Sequence, residues 1–129
     1  MKIKNIFQAQ RKTVSGVHSG KGEIEFCRVF SSEDFQTGID FVDYAVIPPG
    51  CSIGFHQHSG NEEFYLILDG KGRMFVGDEE MYVEKGDLII NPDKSFHGLE
   101  NCSNDKIQIF VVQVSNSSYT DQKTVSHFK

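Results

Sequence analysis

The chain has no tryptophan and only three cysteines, three prolines and three methionines among its 129 residues. Cys27, Cys51 and Cys102 are odd in number, widely spaced and form no C-x-x-C pair, which argues against a disulfide framework or a thiolate zinc site. No apolar run approaches the roughly 20 residues that a membrane-spanning helix needs. Cations are not in excess: 13 Lys and Arg face 18 Asp and Glu, for a net charge of −5. Phosphate backbones are bound by clustered cations, so no nucleic-acid partner is expected. The N-terminal stretch Met1 to Gln10 has early lysines but no apolar core and no small-residue cleavage site. The expectation is therefore no signal peptide, no membrane partner and a cytoplasmic protein with reduced cysteines. Sustained i, i+3, i+4 apolar spacing is also missing, so helix should be scarce and confined to the ends.

What is present is a succession of short apolar and β-branched runs separated by turn residues. Eleven Phe and four Tyr supply bulky core and pocket material. Strands are expected at Ile24 to Phe30, Phe41 to Ile47, Ser52 to His58, Glu62 to Leu68, Arg73 to Val76, Glu80 to Glu84, Asp87 to Ile90, Ser95 to Glu100 and Ile107 to Val114. Pro48-Pro49-Gly50, Asp69-Gly70-Lys71-Gly72, Gly77-Asp78 and Asn91-Pro92-Asp93 punctuate them. So many strands must manage their edges by closure or by packing as two sheets, and an all-β jelly roll does so. The reading is one domain: a polar arm over 1–22, a β-barrel over 23–115 and a polar tail over 116–129.

Within this frame His56, His58, a glutamate at 62 or 63, and His97 form a pattern suited to a divalent metal. In an extended strand His56 and His58 project to one face, with Gln57 opposite. Ser59-Gly60-Asn61 reads as a reversal that returns a glutamate beside them on the neighbouring strand, with His97 closing the site from across the barrel. Glu62 and Glu63 have opposite parity, so only one can face the ion, and the residues alone leave both open. Two inward imidazoles without an ion would be costly polar burial. His18 and His127 read as surface or hydrogen-bonded residues.

The residues around these ligands resemble a known family. Gly50-x5-His56-x-His58-x4-Glu63-x6-Gly70 is similar to the first motif of the cupin superfamily, and Gly86-x5-Pro92-x4-His97-x3-Asn101 to the second. The resemblance covers about Gly50 to Asn101. It implies a small jelly-roll barrel, commonly a homodimer, in which His56, His58, Glu63 and His97 are the metal ligands. Lys94 stands where the second motif usually has glycine, which puts the shape of that turn in question.

Four such ligands leave about two positions of an octahedral ion open. They suit one divalent transition metal, Fe, Mn, Ni, Co or Zn. The expected function is a metalloenzyme, of the dioxygenase, lyase, decarboxylase or isomerase kinds that the resemblance suggests. It would act on a small oxygen-rich ligand (a carboxylate, hydroxy-carbonyl or sugar) by Lewis-acid or oxygen-dependent chemistry. The alternatives are a non-catalytic metabolite-binding or sensor module and a metal-free epimerase-like cupin, which the intact ligand pattern disfavours. Tyr65 shares the face of Glu63 and is the candidate catalytic residue. Arg28 and Arg73 are read as solvated charges unless inward, Cys51 as a small packed or rim thiol that faces away from the ion unless a bulge intervenes, and Phe96 as core or pocket lining. Asp78-Glu79-Glu80 reads as a solvated hairpin tip.

Overall fold

The computed structural model describes residues 1–115; the tail over 116–129, with His127, lies outside them. Ten strands follow in order: β1 (Lys12–Ser15), β2 (Glu23–Ser31), β3 (Ile39–Ile47), β4 (Ser52–Gln57), β5 (Asn61–Asp69), β6 (Lys71–Val76), β7 (Glu79–Glu84), β8 (Leu88–Asn91), β9 (Phe96–Glu100) and β10 (Ile107–Ser115). They form two antiparallel sheets, one ordered β1-β2-β3-β10-β5-β8 and the other β4-β9-β6-β7. This is the expected all-β jelly-roll class, and all nine expected strands are present. No described helix is long and apolar enough to cross a membrane.

The tenth strand, β1, lies inside the segment read as an arm. It is short and largely exposed, and it owes its conformation to pairing with β2. Two 3₁₀ turns, Val17–Ser19 and Ser32–Asp34, make up the helical content of the described residues. The second corrects the expectation that helix is confined to the ends. Ser31 opens it with a capping box, its backbone N–H donating to Asp34 Oδ2 at 2.9 Å, so a local sequence signal creates a turn between β2 and β3.

Alternation along the strands sends one face of each sheet inward. In β5 the buried residues are Glu63, Tyr65 and Ile67, while Glu62 is exposed. Across the larger sheet Phe26, Ala45, Ile109 and Ile67 pair in one inward row, and Arg28, Asp43, Val111 and Tyr65 in the next. The core between the sheets includes Ile47, Leu99, Ile107 and Ile109, each 0% exposed. Each such side chain contributes about 1.5–3 kcal/mol relative to exposure.

Candidate metal centre

His56 lies on β4 directly opposite His97 on β9, and the two strands are hydrogen-bonded neighbours. Glu63 comes from β5 in the other sheet, and His58 follows the last residue of β4. The expected arrangement is thus exchanged. His97 is on the neighbouring strand, and it is Glu63 that closes the site from across the interior. The reason is the connection at Ser59-Gly60: instead of a hairpin it carries the chain from one sheet to the other. Gly60 adopts a φ of +87° there, and its N–H donates to Asp93 Oδ1 at 2.8 Å.

The four side chains meet. His97 Nε2 is 2.7 Å from Glu63 Oε1, His56 Nε2 is 3.0 Å from His58 Nε2, and His58 Nε2 is 3.6 Å from Glu63 Oε1. One ligand atom from each residue lies within 4.8 Å of all the others. His97 and Glu63 are 1% and 5% exposed, and His56 and His58 are half-buried. Glu62 points outward, so the open choice between the two glutamates falls on Glu63 as the inward one.

The donor chemistry fits a cation. His56 Nδ1 lies 2.7 Å from the Gly54 carbonyl oxygen. Donating its proton there, the ring turns an Nε2 lone pair into the cluster, a common outer-sphere device in metal sites. Burial holds His56 near a pKa of about 4, opposed by that same backbone hydrogen bond. Burial also disfavours ionised Glu63, but hydrogen bonding and charge from His58 and His97 outweigh it and bring the carboxyl down to about 2. Interaction with Glu63 in turn raises His58. His97 Nδ1 is buried without a partner. Three imidazoles and an ionised carboxylate aimed at one point are compatible with a divalent metal ion.

The tertiary fold adds a residue that the sequence reading set aside. His18, in the first 3₁₀ turn, stacks on His56 with ring centroids 3.5 Å apart and planes 6° apart. That turn crosses β4 at Gly54, where a Cβ would collide with the His18 carbonyl oxygen and lie 2.7 Å from Gly20 N. His18 and Ser19 have φ of 51° and 62°, unusual backbone angles held by this docking. The usable sequence signals were Gly20 and Gly54, which permit close backbone approach, and Gly16, whose φ of +61° opens the turn.

Tyr65 is 3% exposed, with its ring 5.7 Å from that of His97. Burial and the neighbouring Glu63 carboxylate, to which its hydroxyl hydrogen-bonds, raise its pKa well above the ordinary phenol value. Arg28 turns inward: Nε and Nη2 donate to Asp43 Oδ1 and Oδ2 at 3.1 and 3.2 Å, and the guanidinium lies 4.2 Å from the Phe41 ring centroid. Arg73 instead meets Glu80 at 2.6 Å among exposed side chains. Phe96 is 44% exposed and packs on Phe55, because its neighbour His97 takes the inward parity. This corrects its assignment to core or pocket. A bulge between Ile53 and His56 inverts the parity along β4, so Cys51 shares the parity of Ile53 and is the packed thiol expected, against the main core. Glu79 and Glu80 are exposed beyond the Gly77-Asp78 turn, as expected of a hairpin tip.

Residues 43–113 match the cupin domain family. An oxalate-binding protein of Thermotoga maritima is 29% identical over 99 residues, which make up 77% of this chain and 82% of that protein. An uncharacterized protein of Methanocaldococcus jannaschii is 36% identical over 77 residues, 60% of this chain and 62% of its own length. The crystal structure of a predicted oxalate decarboxylase from Thermotoga maritima superposes with a TM-score of 0.86 at 25% identity, covering 89% of this chain and 100% of that one. With the motifs, the two-sheet architecture and this match in agreement, the chain belongs to the cupin domain family.

Proposed function

We propose that this protein is a metal-dependent cupin enzyme acting on a small carboxylate or hydroxy-carbonyl compound, with His56, His58, Glu63 and His97 holding one divalent transition metal. The observation that carries the reading is the convergence of one ring nitrogen from each of three histidines and one Glu63 oxygen within 4.8 Å of one another, with His56, His58 and Glu63 at the wall of a partly open cavity of about 360 Å³. The relatives described as oxalate-binding and as a predicted oxalate decarboxylase support a small carboxylate ligand.

When bound, the ion supplies Lewis-acid polarisation of a carbonyl or carboxylate, or a site for oxygen-dependent chemistry. The protein's part follows from its own atoms. The Gly54 carbonyl keeps His56 in the tautomer whose Nε2 lone pair faces the site. Glu63 stays ionised and brings negative charge into a buried position. Tyr65 keeps its proton, and its hydroxyl beside Glu63 is our candidate catalytic group, as a hydrogen-bond donor to a bound ligand.

A second reading, a binding module without turnover, is favoured by the name of the oxalate-binding relative. The reading also includes a cytoplasmic homodimer, for which exposed Leu88 (62%) and Ile90 (65%) on edge strand β8 offer an apolar contact.

The test is elemental analysis of protein purified without added metal or chelator, beside the His56→Ala/His58→Ala variant. Near one equivalent of a transition metal, lost in the variant, supports the site. No metal bound, and none taken up on reconstitution, overturns it. Carboxylate turnover by the loaded protein then separates the enzyme from the binding module.

A further inference from the structure

The cavity beside the cluster is unlike a site for oxalate alone. Its volume, about 360 Å³, lies in the range of pockets for organic ligands, roughly 300–1,000 Å³. Oxalate is a two-carbon dianion whose two carboxylates are its whole structure. Away from the cluster the walls are apolar, formed by Val14, Ile24, Phe26, Phe41, Ile53 and Val111. The polar groups among them are largely turned to one another. Arg28 is the one Lys or Arg among the described residues lining the cavity. Two of its nitrogens are bound to Asp43, and its face is covered by Phe41. Gln113 donates its amide N–H to Asp40 Oδ2 at 3.1 Å. A second ligand carboxylate in this region would meet the Asp43 charge and hydrocarbon, with only the remaining Nη1 of Arg28, already shared with Asp43 through its charge, to offset its desolvation.

Resting on the metal-dependent reading above, we infer that the ligand is a 2-oxo or 2-hydroxy monocarboxylic acid with an apolar tail, branched aliphatic or aromatic. Its carboxylate and adjacent oxygen form the end that faces His56, His58 and Glu63. The tail lies along Ile24, Phe26 and Phe41, where each buried methylene raises affinity about fourfold. The pairing of Phe26 with Ala45 across β2 and β3 gives the tail room, since a small residue stands opposite a large one.

Calorimetric titration tests this in two stages. Mn(II) is titrated first into metal-free protein, and the loaded protein is then titrated with oxalate, pyruvate, 2-oxobutanoate, 4-methyl-2-oxopentanoate and phenylpyruvate. The expected result is affinity rising along the 2-oxo acid series and exceeding that for oxalate, with the rise reduced at least fourfold in Phe26→Ala. Val14→Ser, a half-buried position on edge strand β1, serves as the second variant should Phe26→Ala fail to fold. Normal Mn(II) uptake with a flat series, or with oxalate bound most tightly, overturns the apolar-tail inference and leaves the metal site standing. Failure of Mn(II) uptake overturns the metal reading, and the chelating end with it.

Discussion

The ring of His18 lies flat on the ring of His56, 3.5 Å away, because the 3₁₀ turn that carries His18 crosses β4 at a glycine. Stacking of this kind contributes about 0.5–1.5 kcal/mol, so His18→Ala should weaken metal binding about 2- to 10-fold, far less than His56→Ala. Gly54→Ala should cost about 1–3 kcal/mol of stability by overpacking and produce a similar loss of affinity as the turn lifts away. Denaturant unfolding and a metal titration read both effects. A Gly54→Ala protein with parental stability and affinity would show that the turn does not dock there.

Glu62 and Glu63 provide a register test. Glu63→Gln should lower metal affinity more than about 100-fold, beyond what loss of an outer-sphere partner costs, while Glu62→Gln should leave it unchanged. Equal effects in a competition assay with a metal-binding dye would place the register in error.

Arg28 and Asp43 form an ion pair that is half in water: their side chains are 48% and 8% exposed. Burial raises the Asp43 pKa, opposed by Arg28. Arg28→Gln leaves the buried carboxylate unpaired and should cost about 1–2 kcal/mol, below the value for a fully buried pair because Arg28 is screened by solvent. Adding Asp43→Asn should restore more than half of that loss. A double-mutant cycle by chemical denaturation measures it, and additive single effects would mean the pair carries no coupling.

Lys94 has a φ of +67°, the left-handed conformation that the cupin motif usually assigns to glycine. Its N–H donates to the His58 carbonyl and its own carbonyl accepts from Gln57 Nε2 at 2.6 Å, so the angle is held by bonds to the ligand-bearing segment. Lys94→Gly removes strain of about 1–2 kcal/mol and adds entropy to the unfolded chain. The net stabilisation should be about 0.5–1 kcal/mol with metal affinity unchanged. A lower melting temperature would contradict this account.

Particular residues show how far the site was legible in the chain. The types and spacing of His56, His58 and His97 were visible because metal ligation restricts which side chains can serve. The outward position of Glu62 and the inward position of Glu63 follow from a two-residue period, although parity alone did not say which of the two faced in. The same period counted from His97 turns Phe96 outward. Cys51 was conditional on a bulge, and the bulge at Ile53 to His56 decided it.

By itself the sequence determined nine of the ten described strands, most of the turns between them, the donor chemistry and the family motifs, because these depend on neighbours a few residues apart. Only the tertiary structure decided that β9 pairs with β4, that β5 lies in the opposite sheet, that His18 covers His56 and that Asp43 engages Arg28. Each of these contacts joins segments distant in the chain. Their partners are selected by sheet order and by the close approach that Gly54 permits, and no local spacing encodes either.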